Sequence, residues 1–148
     1  MRALAAIVSS LHVFALALGL AAVFFRGRAL RGPLDQAGLL RLFAADNVWG
    51  LAAALWLVTG LARAFGGLEK GSAFYLDSSL FWTKMVLFAL VVLLEIRLML
   101  TFIRWRAILR KGGRPDTTGA RGLYIVSHIQ MAIVVAMVFV ASFMARGF

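Results

Sequence analysis

The stretch Leu80-Phe81-Trp82-Thr83-Lys84-Met85-Val86-Leu87-Phe88-Ala89-Leu90-Val91-Val92-Leu93-Leu94-Glu95-Ile96-Arg97-Leu98-Met99-Leu100-Thr101-Phe102-Ile103 decides the fold class. It is almost wholly apolar and, as a helix rising about 1.5 Å per residue, long enough to cross roughly 30 Å of hydrocarbon. It nevertheless carries Lys84, Glu95 and Arg97. An ionisable side chain at the bilayer centre costs at least about 2.5–3.5 kcal/mol unless it is paired or hydrated. These three residues therefore mark a functional interior or a structural ion pair.

Three further apolar runs flank this one, at residues 3–25, 44–62 and 123–145, beside the central 80–103. The chain has 148 residues, of which 63% are hydrophobic, well above the roughly half of a soluble domain. The connecting segments are too short to bury a core of their own. The expected fold is all-α, a single transmembrane domain over 1–148 built as an integral membrane four-helix bundle. Pro33 suits a helix start, and residues 34–43 read as a short interfacial helix before span two. Span three is expected to continue as one helix to Lys111, where Gly112-Gly113 and Pro115 stop it. Asp116, Thr117 or Thr118 is the expected cap of the next helix. The first run extends to Phe25, too long for a signal-peptide core, so it reads as a retained span.

The net charge of +10 is placed, not spread. Arg26, Arg28, Arg31 and Arg41 lie between spans one and two, and Arg104, Arg106, Arg110, Lys111, Arg114 and Arg121 between spans three and four. The middle connection has only Arg63 and Lys70, beside Glu69 and Asp77. Cationic short loops favour the cytoplasmic side, so both termini are expected outside, in the periplasm of a bacterial inner membrane. The basic loops would then lie against anionic lipid headgroups. No nucleic-acid motif accompanies them, and no nucleic-acid partner is expected. The absence of cysteine excludes disulfides, thiolate metal sites and iron–sulfur clusters within this sequence.

Helical spacing assigns faces. In span one His12 shares a stripe with Ser9, Ala15, Leu16, Gly19 and Val23. Small residues let membrane helices approach, so this stripe is expected against another helix. In span two the stripe is Asp46, Gly50, Ala53, Leu57 and Gly60, and in span four the close-packing positions are Ala132 and Ala136. Packing faces left over after bundle formation favour a homo-oligomer or a membrane partner.

Lys84 and Glu95 are eleven residues apart, so they share one face but are separated by about 16 Å along the axis. Each needs its own partner. The polar residues form two rough layers: an outer one of His12, Thr59 and Lys84, and an inner one of Asp46, Asn47, Glu95, Arg97, His128 and Gln130. Lys84 either snorkels to the outer interface or points inward to bind an anionic group. Glu95 is expected to pair with Arg97 or with a basic residue of a neighbouring helix. Asp46 is expected to cap span two, where a carboxylate suits the helix N-terminus. Arg97 can reach the inner headgroups. His12 and His128 raise a haem b site, with both imidazoles on one iron or with one histidine beside Lys84 or water. The alternative is that each makes a helix–helix hydrogen bond. Lys84 and Glu95 also outline an ion or proton path.

The ordered set Ala45-Asp46-Asn47-Val48-Trp49-Gly50-Leu51-Ala52-Ala53, Thr59-Gly60-Leu61-Ala62-Arg63, Lys70-Gly71-Ser72-Ala73-Phe74-Tyr75-Leu76, Phe81-Trp82-Thr83-Lys84 and Phe102-Ile103-Arg104-Trp105-Arg106, with the ending Met144-Ala145-Arg146-Gly147, resembles a family of small bacterial membrane proteins of unknown function with four predicted spans. The resemblance covers nearly the whole chain and implies the same architecture. It implies no activity. A more distant similarity, through Leu11-His12, Thr59-Gly60 and Lys84, is to HemJ-type protoporphyrinogen oxidases and CopD-type membrane domains. The HemJ likeness implies a haem-binding, porphyrin-oxidising enzyme with His12 and Lys84 at the matching positions. The residues themselves point first to a non-enzymatic accessory membrane protein, whose polar interior organises the helices or contacts a partner.

Overall fold

A computed structural model describes residues 2–68 and 71–147. Glu69 and Lys70, which the sequence places in the middle connection, lie outside the described residues. Five helices follow in order: α1 (Arg2–Arg31), α2 (Gln36–Phe65), α3 (Ser72–Leu76), α4 (Ser79–Arg110) and α5 (Ala120–Ala145). The four long ones are apolar and long enough to cross a membrane, and no strand occurs among the described residues. The expected spans all lie inside them. α4 ends one residue short of the expected Lys111, and Gly112 then turns the chain with φ 76°.

The short interfacial helix expected before span two is not a separate element. Helix α2 starts at Gln36 and runs unbroken into the span. Nothing between Leu39 and Asp46 interrupts a helix, since no proline occurs there and the residues are mostly good helix formers. Asp35 caps α2, its Oδ1 accepting from the Gly38 N–H at 2.7 Å. Gly38 is required at this start, because a Cβ there would run into the Pro33 carbonyl oxygen. The cap expected for α5 also differs. Gly119 occupies that position without a side-chain bond, and Asp116 Oδ1 instead accepts from the Thr118 N–H at 3.0 Å, closing a local turn.

Helix α1 packs along α2 and α5, and α5 along α4, giving the order α2–α1–α5–α4 around the bundle. The ring closes loosely, because α2 and α4 stand further apart. Buried apolar residues form three layers along the axis. Leu42, Leu98, Phe102 and Trp105 belong to the layer at the basic end. Val23, Trp49, Val91 and Val134 form the middle. Ala64, Tyr75, Phe81 and Met144 form the layer at the end carrying both termini. The outside is studded with exposed Leu, Ile, Val and Phe, such as Ile7, Val58, Leu93 and Phe139. A water-soluble surface does not present apolar patches on this scale, whereas lipid tails solvate them.

Two packing faces differ from the helical-spacing expectation. Among the positions that α2 buries are Trp49, Ala52 and Thr59, while Gly50 and Leu57 are exposed. Trp49 packs against Gly19, where an added Cβ would come 3.4 Å from Trp49 Cζ3. The fit of the largest ring into the smallest residue therefore sets the rotation of α2. On α5 the buried face is Leu123, Ser127, Gln130, Val134 and Met137, and Ala132 and Ala136 are exposed. Gln130 decides this rotation, because its amide has polar partners only in the interior.

Candidate functional site

Between the basic-end and middle layers lies an ion cluster fed by all four spans. At its centre is Arg26 of α1, fully buried at 0% exposure. Its Nη1 donates to Glu95 Oε1 at 2.9 Å and Oε2 at 3.1 Å, and to Asp46 Oδ1 at 3.2 Å. Its Nη2 donates to Glu95 Oε2 at 3.1 Å and to Gln130 Oε1 at 2.7 Å. Gln130 returns its amide to Glu95 Oε2 at 2.8 Å and to the Val91 carbonyl at 3.2 Å. Arg106, one helix end away, donates to Asp46 Oδ2 at 2.8 Å and to the Phe43 carbonyl at 3.3 Å. Two guanidinium groups thus face two carboxylates and balance them. Trp49 and Phe43 cover the two guanidinium groups, at 5.4 Å and 4.9 Å from their ring centroids.

Glu95 therefore takes the partner that spacing called for, a basic residue of a neighbouring helix, and that residue is Arg26. Asp46 is not a cap. It sits well inside α2, whose cap is Asp35, and it bridges two arginines. Arg97 is exposed on the far side of α4, in keeping with a reach towards headgroups, and Asn47 is also exposed, outside the cluster. Arg26 is the residue that sequence reasoning missed, because it was grouped with the basic loop beyond Phe25. The signal was present: residues 12, 15, 19, 22, 23 and 26 continue one helical stripe, and all are buried.

His12 and His128 are not brought together. His128 Nδ1 bonds with the Tyr124 carbonyl at 3.0 Å, and its ring lies against Gly27, where a Cβ would come 2.9 Å from His128 Cε1. Gly27 is fifteen residues beyond His12 on α1, about 22 Å along the axis. Metal–imidazole bonds are only about 2 Å long, so one iron cannot take both rings. His128 sits against the basic end of α1, in keeping with its place in the inner layer, and this separation rules out the shared iron.

His12 belongs with Lys84 and Thr59, as the outer layer predicts. His12 Nδ1 and Thr59 Oγ1 share a hydrogen bond of 2.9 Å, and Thr59 Oγ1 also lies 2.7 Å from the Leu55 carbonyl oxygen. The His12 ring stacks on Trp56 at 5.5 Å, and Lys84 Nζ lies over the same indole at 5.8 Å. Gly60 leaves room for the imidazole, since a Cβ there would come 3.2 Å from His12 Cε1. His12, Trp56, Gly60 and Lys84 line a cavity of about 410 Å³ at the end carrying both termini. A second cavity of about 200 Å³ shares Leu16, Trp56, Leu57 and Phe88 with it and reaches Glu95. No group of three or more His, Cys, Asp or Glu residues suited to a metal ion occurs among the described residues.

No curated protein and no solved structure matches this chain. A family model does, over residues 4–148, and it is described as a predicted membrane protein family. With four apolar spans and this match over nearly its whole length, the chain belongs to the predicted membrane protein family DUF2214.

Proposed function

We propose that the protein is a non-enzymatic accessory protein of the bacterial inner membrane, with both termini on the periplasmic side, in which the Arg26 cluster is a structural clasp. The observation that carries this reading is the closure of the cluster. Arg26 is fully buried, and its partners come from the other three spans. A group engaged by two carboxylates and an amide holds helices in register and is poorly placed to relay a proton. The orientation is supported by Arg28, Arg31, Arg41, Arg104, Arg110, Lys111, Arg114 and Arg121. All are exposed around one end of the bundle, where anionic headgroups would meet them. Reporter fusions test the orientation, and a cytoplasmic C-terminus refutes it. Proteoliposomes test the clasp. Proton flux equal to that of empty vesicles, in both the wild type and Glu95→Gln, is the expected result. A flux abolished by Glu95→Gln overturns it.

A haem- or porphyrin-binding redox protein is the second reading. One observation favours it: His12 and Lys84 line the same cavity. Absorbance of protein purified after expression with ample haem separates the two. The first reading expects no Soret band, and a band lost in His12→Ala would establish the second.

A further inference from the structure

The cavity beneath α3 combines a lysine with an apolar wall. Lys84 and Arg63 line it, and no Asp or Glu lines it among the described residues. Lys84 takes part in none of the ion pairs seen among the described residues. The partly buried Lys84 ammonium lies over the Trp56 indole face with no carboxylate paired to it among the described residues, so it is short of a counter-charge. The buried Nε1–H of Trp56, another lining residue, also lacks an acceptor among the described residues. The rest of the wall is aromatic and thioether, with Phe81, Phe88, Met85 and Met137.

The cavity also opens to lipid. Val13, Leu57, Leu61 and Val138 line it and are at the same time exposed on the outer surface of the bundle. From it the smaller cavity continues between α1, α2 and α4, where the ring of helices closes loosely. The volume of about 410 Å³ falls within the usual range for small-molecule sites, about 300–1,000 Å³.

We propose that this cavity binds a single-chain amphiphile with an anionic head, the head paired with Lys84 and the tail lying along the α2–α4 seam. A carboxylate and a phosphate share the chemistry that Lys84 requires. A narrow seam lined by Trp56, Leu57 and Phe88 suits one acyl chain. Neutral lipid offers no counter-charge, and a small free anion leaves the apolar wall empty. The head site is separate from the Arg26 clasp, and the seam that takes the tail meets the clasp only at its far end, where Glu95 lines the smaller cavity.

The test uses the full-length protein in phosphatidylcholine nanodiscs, with 5-doxylstearate as the quencher of tryptophan fluorescence. Saturable quenching is expected, reversed by palmitate or by hexadecyl phosphate, and the better competitor identifies the head. Methyl palmitate and inorganic phosphate should not compete. Lys84→Met should weaken 5-doxylstearate by about tenfold or more, and Lys84→Arg should largely retain it. Equal competition by palmitate and methyl palmitate overturns the proposal, because the cavity would then be filled by lipid without regard to charge. Competition by inorganic phosphate alone also overturns it. The comparison of palmitate with its methyl ester needs only the wild-type protein, so it decides the matter even if Lys84→Met does not fold.

Discussion

Removing Arg26 while leaving its acceptors in place is the sharpest test of the clasp. Arg26→Met keeps an unbranched chain of similar length but deletes hydrogen bonds to four oxygens: both of Glu95, Asp46 Oδ1 and Gln130 Oε1. Asp46 keeps Arg106, whereas Glu95 keeps only the Gln130 amide. Breaking a buried pair from one side costs about 3–5 kcal/mol in soluble proteins. Interhelical polar contacts in membranes average nearer 0.6 kcal/mol each, because the separated helices also find partners. Four such contacts come to about 2–3 kcal/mol, so the two scales meet near 3 kcal/mol, about a hundredfold in the folding equilibrium. The assay is unfolding by SDS in mixed micelles, followed by circular dichroism. Glu95→Gln and the double variant complete a cycle. The double variant should recover part of the loss, because Glu95 no longer presents an unpaired charge. A cost below about 0.5 kcal/mol for Arg26→Met, or a coupling within the roughly 0.5 kcal/mol of simple additivity, would refute the clasp.

Three further outcomes are expected. Asp35→Ala should destabilise the start of α2 by about 1 kcal/mol, and Gly38→Ala by more, since its methyl group must displace the Pro33 carbonyl; hydrogen exchange in residues 36–42 reads both. Gly19→Leu should cost about 1–3 kcal/mol by pushing Trp49 off α1, seen as a shift in tryptophan emission together with lower thermal stability. Asp116, in the loop between α4 and α5, is held below its ordinary pKa of 3.8 by the Thr118 N–H and hydroxyl. Its contribution to the turn is therefore complete above 3.8 and lost as pH falls through its lowered value. NMR titration of the Thr118 amide checks this, and an Asp116 midpoint at or above 3.8 would contradict it.

The architecture was legible because a membrane span is a property of contiguous sequence. Runs of apolar residues at 3–25, 44–62, 80–103 and 123–145 reach or approach the length needed to cross the bilayer whatever their neighbours do. The uninterrupted helix through α4 and its stop at Gly112 were equally local, as was the sharing of one face by Lys84 and Glu95. The outer grouping of His12, Thr59 and Lys84 followed from counting depth along helices. By itself, then, the sequence determined four spanning helices, the end at which their basic residues gather and the depth of most polar groups.

Which face each helix turns inward was decided by tertiary structure. In a helix apolar on every side, lipid and protein interior compete almost equally for each residue, so hydrophobicity barely sets the rotation. Here α2 is turned by the fit of Trp49 on Gly19, and α5 by the need to bury Gln130 among polar partners. The same rotations bring Asp46 to two arginines and set Arg26 on Glu95. His128 stays at the basic end, in the inner layer where counting along the helix put it, and packs on Gly27 away from His12. Charge pairing acts between helices distant in sequence, and only the packed bundle could show that Arg26 belongs to the interior and not to the loop that follows it.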